Sequence, residues 1–423
     1  MLVGVNKKLI TPKESIDLAG FGTSDRKAVG VHDDLYITTL ALQHGDKRIL
    51  IICGDIIGFG FNFTKRIKED IHEKFGFNED EILLNASHTH SGPQTLENML
   101  VSVGEMYHEY MENLHNYVIS SAESALNSMD KVDIYYGETQ CNICINRRLI
   151  TDGKANFQPN EKGIADKAVT VLKFMKGNMV KAVLFSYACH PSIVGTKYIS
   201  SDYPGAAKKV IEDGLGKDTV ALFMQGCCGN IRARTVEGNS FRTGTWDDVE
   251  NFGNELGTKV VDLCNGKMKK ASEAGMDISS QIIHLQIPIK DIPEKKKLEA
   301  IKKSGSTDEK LWAAKMLDKY SSITDTLPFV VQRITLSDDI SIITMSGEVC
   351  IEYGLYVKNK NPDKIIIPVA YSNGVTGYIP TEEMFSEGGY EPYGSTIYYS
   401  FPSQLDTSVE KIVVDALDKI IKN

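Results

Sequence analysis

Short apolar runs, each long enough for one β-strand but too short for a membrane span, recur along the chain. They lie at 48–55, 81–87, 181–190, 219–226, 340–348 and 364–372. Between them, apolar residues at three- and four-residue spacing predict amphipathic helices at 63–75, 107–122, 204–213, 246–264 and 405–421. Nearly continuous apolar strands separated by helices predict an α/β fold, in which helices flank a mostly buried, mixed β-sheet core.

The most polar part of the chain is 293–320, where the charge pattern and a Ser-Gly turn predict a helical hairpin. Its charges favour a solvated insertion over a binding arm. No internal repeat or low-complexity linker divides the 423 residues. The sequence therefore predicts a single domain over 1–423 with one charged insertion.

Composition argues against several classes of partner and compartment. The chain has 47 Lys+Arg and 56 Asp+Glu, a net charge of -9, which gives no general attraction for nucleic acid or anionic lipid. Without a signal-peptide pattern or a long apolar stretch, we expect a cytoplasmic protein with no transmembrane segment. The eight cysteines lie mostly in apolar runs and are predicted to be buried thiols.

Two histidines follow the apolar run 81–87 directly, in the motif His88-Thr89-His90. On an extended chain, side chains two residues apart point to the same side, so both imidazoles are expected to face one point beyond the sheet edge. His190 and Glu348 also follow apolar runs. Two histidines and a carboxylate are the usual ligands of a catalytic zinc ion, although spacing alone leaves a hydrogen-bonded structural role open for each.

Six motifs extend this pattern, and they are NASHTHSGP, YACHP, DYPGAA, FMQGCCGN, SGEV and GYIPTEEMFSEGGYE. In this order they resemble the catalytic domain of the neutral/alkaline, non-lysosomal ceramidase family, over roughly residues 4–420. The resemblance implies a zinc-dependent hydrolase of a linear amide bond, with a single zinc ion per chain. It places His88, His190, Glu348 and Tyr378 at the ligand positions.

The resemblance also implies roles for residues beside the metal. His90 falls next to the attacking water and would take its proton, a step that contributes about a hundredfold or more. Tyr390 falls opposite the scissile carbonyl, where it would stabilise the developing negative charge. Arg147 falls in the substrate pocket, although the adjacent Arg148 leaves the register open.

At one motif the chain departs from the resemblance. Ceramidases carry a serine and a proline in the pattern G-[DN]-x-S-P, whereas residues 229–233 read G-N-I-R-A and place Arg232 where the serine would be. We therefore expect Arg232, together with Arg234, to bind a carboxylate or other anionic group of a small, polar substrate, and ceramide itself to be a poor substrate. The chain is also expected to lack the immunoglobulin-like C-terminal domain of ceramidases.

Several alternatives to a zinc-dependent amidohydrolase stay open. The same attack would also cleave an ester, and a relative that binds metal without turnover would serve as a scaffold. A serine hydrolase using Ser91 would lack the G-x-S-x-G turn. The segment GLGKDT at 214–219 lacks the first glycine of a phosphate-binding loop. The presence of both His90 and Tyr390 beside the four ligand candidates favours catalysis on a small-molecule amide.

Overall fold

The computed structural model describes residues 1–22, 26–272 and 274–422. Its α-helices are α1 Phe61–Phe75, α2 His108–Leu126, α3 Asp202–Leu215, α4 Trp246–Asn265, α5 Lys295–Ser304, α6 Thr307–Asp318, α7 Ile351–Lys360, α8 Glu382–Glu387 and α9 Val409–Lys422. Every helix predicted from apolar spacing is present, with ends shifted by up to four residues. The α/β fold class is confirmed.

Three sheets form the centre of the molecule. In spatial order, the first contains Ile82–Ala86, Lys47–Gly54, Tyr36–His44, Leu2–Leu9 and Asp130–Lys131. The second contains Val220–Gln225, Met179–Tyr187, Ala168–Lys176, Asp133–Gln140 and Lys269–Lys270. The third contains Ser279–Pro288, Thr326–Ser337, Ile340–Met345 and Ile365–Val369.

Smaller sheets lie around these three. One contains Ile231–Ala233, Cys144–Thr151 and Lys154–Asn160. The two-stranded sheets pair Gly30–Val31 with Tyr198–Ile199, Val236–Glu237 with Ser240–Phe241, and Glu348–Val349 with Tyr378–Ile379. The last of these pairs brings two predicted metal ligands, Glu348 and Tyr378, into register as backbone neighbours.

Each large sheet contains one parallel pair of strands. The pairs are Lys47–Gly54 with Ile82–Ala86, Met179–Tyr187 with Val220–Gln225, and Ile340–Met345 with Ile365–Val369. The other pairings in these sheets are antiparallel, so the sheets are mixed, as predicted. In α/β proteins, ligands bind beyond the carboxyl ends of parallel strands. The loops after these pairs carry most of the predicted site residues.

Asn85 joins the three sheets where these strands end. It is fully buried, and its side-chain nitrogen donates to the carbonyl of Ala370 at 2.7 Å. Its side-chain oxygen accepts from the backbone N–H of Gln225 at 3.1 Å. A buried amide is stable only when its polar atoms are paired, so these bonds fix the strand ends relative to one another.

An apolar cluster fills the space between the sheets. It includes Leu40 and Leu83 of the first sheet, Leu184 of the second, and Ile342 and Ile367 of the third, all fully buried. Each such side chain contributes roughly 1.5–3 kcal/mol when it leaves water. Strands buried on both faces need apolar residues on both, which explains why they appear in the sequence as continuous apolar runs.

The hairpin predicted at 293–320 is formed by α5 and α6, and it is less solvated than expected. Trp312 is only 8% exposed, and its indole N–H donates to the carbonyl of Phe401 at 2.7 Å. Lys315 donates to the carbonyls of Asn98 and Met99. The hairpin therefore has one charged face in water and one face packed against the rest of the protein.

Two expectations from composition can be compared with the structure. All eight cysteines are buried and free, as predicted. Within the described part of the chain, no helix is both long and apolar enough to cross a membrane.

A buried ion pair connects α3 to the first sheet. Lys208 Nζ lies 2.6 Å from both carboxylate oxygens of Asp55, and both residues are at most 4% exposed. Asp55 also accepts the backbone N–H of Tyr36 at 2.9 Å. Each charge is therefore paired, and removing either residue would leave the charge of the other one buried without a partner.

Replacing Lys208 with methionine would leave the Asp55 carboxylate buried and unpaired. We expect Lys208→Met to lower the free energy of unfolding by about 3–5 kcal/mol, measured by urea denaturation. The matched control is Lys209→Met, an exposed neighbour on the same helix, with an expected change below about 0.5 kcal/mol. Equal stability of the two variants would contradict this assignment.

Candidate active site

A cavity of about 300 Å³ lies at the carboxyl ends of the parallel strands. Seven of the eight residues predicted to form a site line it, and they are His88, His90, Arg147, Arg232, Glu348, Tyr378 and Tyr390. The eighth, His190, has its Nε2 atom 3.0 Å from Oε2 of Glu348. The structure thus brings together residues from several distant parts of the chain.

His88 leaves its strand in a conformation that the sequence did not predict. The strand ends at Ala86, and His88 has a φ of +67°, in the left-handed region that costs a non-glycine residue about 1–3 kcal/mol. The expected extended backbone for the two histidines was therefore wrong. Their side chains nevertheless converge, with the Nε2 atoms of His88 and His90 3.2 Å apart. A turn aims both rings at one point.

Backbone carbonyls fix the tautomers of two imidazoles. His88 Nδ1 donates to the carbonyl of Ile57 at 2.7 Å, and His190 Nδ1 donates to that of Cys228 at 2.9 Å. Since a carbonyl can only accept, the proton sits on Nδ1 and the Nε2 of each neutral ring presents a lone pair. Burial lowers the pKa of His190 to about 4, which keeps that ring neutral at pH 7.

Glu348 faces these lone pairs. Its Oε2 atom lies 3.3 Å from His88 Nε2 and 3.0 Å from His190 Nε2, and the residue is 3% exposed. A carboxylate oxygen and two imidazole lone pairs are all acceptors, so they repel unless a proton or a cation lies among them. The ligand nitrogens of His88, His90 and His190 also lie within 4.8 Å of one another. This cluster can hold a metal ion.

Two tyrosines that the sequence analysis did not single out hold Glu348. The hydroxyl of Tyr371 donates to Oε2 at 3.2 Å, and that of Tyr399 donates to Oε1. Burial raises the pKa of both tyrosines well above the ordinary value, so both hydroxyls keep the proton that they donate. Tyr371 lies near the end of the apolar run 364–372, and the end of such a run is the signal that identified the histidines. Tyr399 has no comparable signal in the sequence around it.

Tyr378 and Tyr390 lie side by side in the cavity. The Tyr378 ring stacks on that of His190 with centroids 6.4 Å apart, and the Tyr390 ring is 5.4 Å from that of Tyr378. Arg147 lies 5.3 Å and 5.6 Å from the two tyrosine ring centroids. Burial raises the pKa of Tyr378 well above its ordinary value, so its phenol would need a cation nearby to ionise.

The structure distinguishes the two adjacent arginines. Arg147 lines the cavity and its Nε donates to Glu391 at 2.9 Å, while Arg148 donates to Glu391 at 2.6 Å and to Glu387 at 2.9 Å. A bulge after Asn146 lets both side chains reach the same carboxylate. Nη2 of Arg147 has no hydrogen-bond partner in the described ranges, which leaves it available for a substrate oxygen.

A loop near the N-terminus holds His90 in place. The ring of Phe21 meets that of His90 edge-on at 5.0 Å, and Arg26 donates to the His90 carbonyl at 3.0 Å. Gly20 has a φ of +91°, and a Cβ atom there would lie 2.4 Å from Nδ1 of His90. Only glycine therefore fits at position 20, a constraint that the sequence alone did not reveal.

Comparison with known proteins decides the family. The model of "Neutral/alkaline non-lysosomal ceramidase, N-terminal" matches residues 1–279, about two thirds of the chain. The chain belongs to the neutral/alkaline non-lysosomal ceramidase family. The resemblance seen in the motifs is confirmed by this match.

Individual members of the ceramidase family are distant relatives. The neutral ceramidase of Oryza sativa subsp. japonica is 21% identical over 235 residues, which cover 50% of this chain and 29% of that protein. The chain thus spans less than a third of the length of this curated relative.

Solved structures share the fold of this ceramidase-family chain. The crystal structure of neutral ceramidase from Pseudomonas aeruginosa superposes with a TM-score of 0.75 at 16% identity, covering 98% of this chain and 74% of that one. A ceramidase complexed with C2 gives a TM-score of 0.78 at 15% identity, with the same coverage. At such identities the likeness shows the fold, and the chemistry has to be argued from the site.

Proposed function

We propose that this protein is a zinc-dependent hydrolase of a linear amide bond in a small molecule. A single zinc ion would be held by His88, His190, Glu348 and Tyr378. The observation that supports this is the contact between the lone pairs of His88 and His190 and the carboxylate of Glu348, at 3.3 Å and 3.0 Å. Imidazoles whose Nδ1 atoms donate to carbonyls, together with a carboxylate, form a donor set that suits zinc.

When bound, a zinc ion supplies a nucleophile from water at neutral pH and polarises the carbonyl under attack. His90 then accepts the proton of the attacking water and returns it to the leaving nitrogen. Burial, with a smaller effect of His88, holds the pKa of His90 well below 6.5, so the ring is neutral and able to accept. Its Nδ1 is buried with no hydrogen-bond partner in the part of the chain that the structure describes.

Tyr390 and Arg147 stabilise the negative charge that develops on the carbonyl oxygen of the substrate. As water adds, the carbonyl oxygen becomes negative, and donors fixed beforehand around it lower the barrier. Burial raises the pKa of Tyr390, which therefore keeps its hydroxyl proton and can donate. Arg147 is held by Glu391 through Nε, and its Nη2 is left for the oxygen.

Ceramide is not the substrate that we propose. Arg232 lines the cavity and presents a positive charge where an uncharged lipid amide offers no counter-ion. A small polar amide suits this surface better. Esters of matching shape would be cleaved by the same attack.

Elemental analysis of the protein, purified without a His-tag, tests the metal. We expect about one zinc ion per chain, followed by turnover in a panel of small amides and esters. Absence of metal after zinc is supplied would remove the proposed mechanism. One zinc ion with no turnover on the panel would favour the alternative of a binding or scaffolding relative.

A further inference from the structure

A second cavity adjoins the one that contains the histidines. The two share Phe21, Phe157, Ser192 and Arg232 as lining residues. Arg232 therefore stands at the junction between the proposed reaction centre and a neighbouring space. A part of the substrate remote from the scissile bond can lie there.

Arg232 differs from the other arginines that line this second cavity. Arg26 donates to the carbonyls of Ala19 and Thr196, and Arg242 binds both carboxylate oxygens of Asp248 at 2.6 Å and 2.7 Å. Among the described residues, no carboxylate lies within 4.0 Å of the Arg232 guanidinium, which makes no hydrogen bond. Its Nε atom is buried and unpaired.

Two aromatic rings hold the Arg232 guanidinium. It lies 4.5 Å from the ring centroid of Phe241 and 5.8 Å from that of Phe157. Aromatic rings attract a guanidinium without accepting a conventional hydrogen bond, so its N–H groups stay available for a planar acceptor. Burial, together with repulsion from Arg147, lowers the pKa of Arg232 only to about 10, so it is charged at pH 7.

The backbone connects Arg232 rigidly to the proposed metal site. Arg232 lies in the strand Ile231–Ala233 and forms a parallel bridge with His190. The strand also pairs with Cys144–Thr151, which carries Arg147. A group bound at Arg232 is therefore held at a fixed position relative to the scissile bond, as recognition of a substrate requires.

We propose that Arg232 binds a carboxylate of the substrate, so that the enzyme selects acidic amides. The inference rests on the proposed function for the hydrolytic step. A bidentate carboxylate would accept hydrogen bonds from the unpaired N–H groups of Arg232. An alkyl chain would displace water from the guanidinium without accepting any hydrogen bond in its place. Hydrolysis forms a C–O bond from water, breaks the C–N bond and protonates the leaving nitrogen, while this carboxylate stays unchanged.

The carboxylate can lie on the amine side or on the acyl side of the amide bond. Two pairs of substrates distinguish these two positions. N-Hexanoylglycine and N-hexanoylglycinamide differ by a charge on the amine side. N-Butylsuccinamate and N-butylsuccinamide differ by a charge on the acyl side. We expect kcat/KM of wild type to be at least about tenfold higher for the anionic member of one pair, the effect of a charge-assisted hydrogen bond.

Variants of Arg232 show whether this residue causes the preference for the anionic substrate. Arg232→Gln is expected to lose the preference, and Arg232→Lys is expected to keep part of it. The sequence also suggested Arg234 for this role, but Arg234 pairs with the exposed Glu161 and lines neither cavity. Arg234→Gln is therefore the control, and it is expected to keep the whole preference. Equal rates for both members of both pairs in wild type would overturn the inference.

Binding to protein stripped of metal by a chelator separates this inference from the proposed function. N-Hexanoylglycine and N-butylsuccinamate are titrated calorimetrically into stripped wild type, Arg232→Gln and Arg232→Lys. We expect one of them to bind and Arg232→Gln to weaken binding at least about tenfold. Binding that requires Arg232 without any turnover would support the carboxylate site and count against the hydrolase. Binding of neither compound, or equal binding to Arg232→Gln, would overturn the carboxylate site and leave the hydrolase standing.

Discussion

Glu348→Gln is expected to lose zinc and to lower kcat/KM for amide hydrolysis about a thousandfold or more. The substitution keeps the size of the side chain but removes its negative charge, which faces the lone pairs of His88 and His190 at 3.3 Å and 3.0 Å. Several kcal/mol of transition-state stabilisation come from a bound metal in such hydrolases, and each 1.4 kcal/mol is about a factor of ten in rate. Zinc per chain and kcat/KM are measured on the same preparation.

The matched control for Glu348 is Glu352→Gln. Glu352 lies four residues further along the chain, in the first turn of α7, and both of its carboxylate oxygens accept from the side chain of Asn230 at 3.0 Å. It does not line the cavity, so its variant should keep zinc and turnover. If Glu348→Gln bound zinc with wild-type affinity and hydrolysed amides normally, the carboxylate would not be a ligand.

The outline of this fold was readable from the sequence because its sheets are buried on both faces. Strands such as Ile82–Ala86 and Ile340–Met345 are buried along their whole length and are therefore mostly apolar, and polar residues follow their ends. The same reasoning placed His88, His190 and Glu348 at strand ends, and the structure brings these three together.

Other features depend on tertiary structure and left no local signal. Asn85 looked like one more residue of an apolar run, yet its amide joins three sheets. The left-handed backbone at His88 has no signal in the sequence, and the need for glycine at position 20 follows from its packing against His90. Tyr399 reaches Glu348 from a segment without strand or helix periodicity. The absence of a counter-ion at Arg232 becomes visible only when every described neighbour is placed.

Two sets of metal ligands are compatible with the geometry. One is the set implied by the family resemblance, His88, His190, Glu348 and Tyr378, with His90 as the base. In the other, His90 joins His88 and His190, since the ligand nitrogens of all three lie within 4.8 Å of one another. The tautomers favour the first set, because carbonyls fix Nδ1 of His88 and His190, whereas no hydrogen bond of this kind fixes the His90 ring among the described residues.

Ser91→Ala addresses the rival reading in which a serine is the nucleophile. Ser91 is buried and does not line the cavity, so the variant is expected to keep zinc and turnover, as measured by elemental analysis and kcat/KM. Loss of turnover with zinc retained would support the serine hydrolase. This variant also serves as the control for changes at the adjacent His90.

His90→Ala distinguishes the two ligand sets. As a base, His90 contributes about a hundred- to ten-thousandfold, so its loss should lower kcat by that factor while about one zinc ion per chain is kept. Added imidazole should restore part of the rate, because a small base can occupy the space left beside Phe21 and Gly20, which both contact the ring. A merely structural histidine would not respond to imidazole in this way. Loss of zinc from His90→Ala would instead make His90 a ligand, and the proton would then have to be taken by another group lining the cavity.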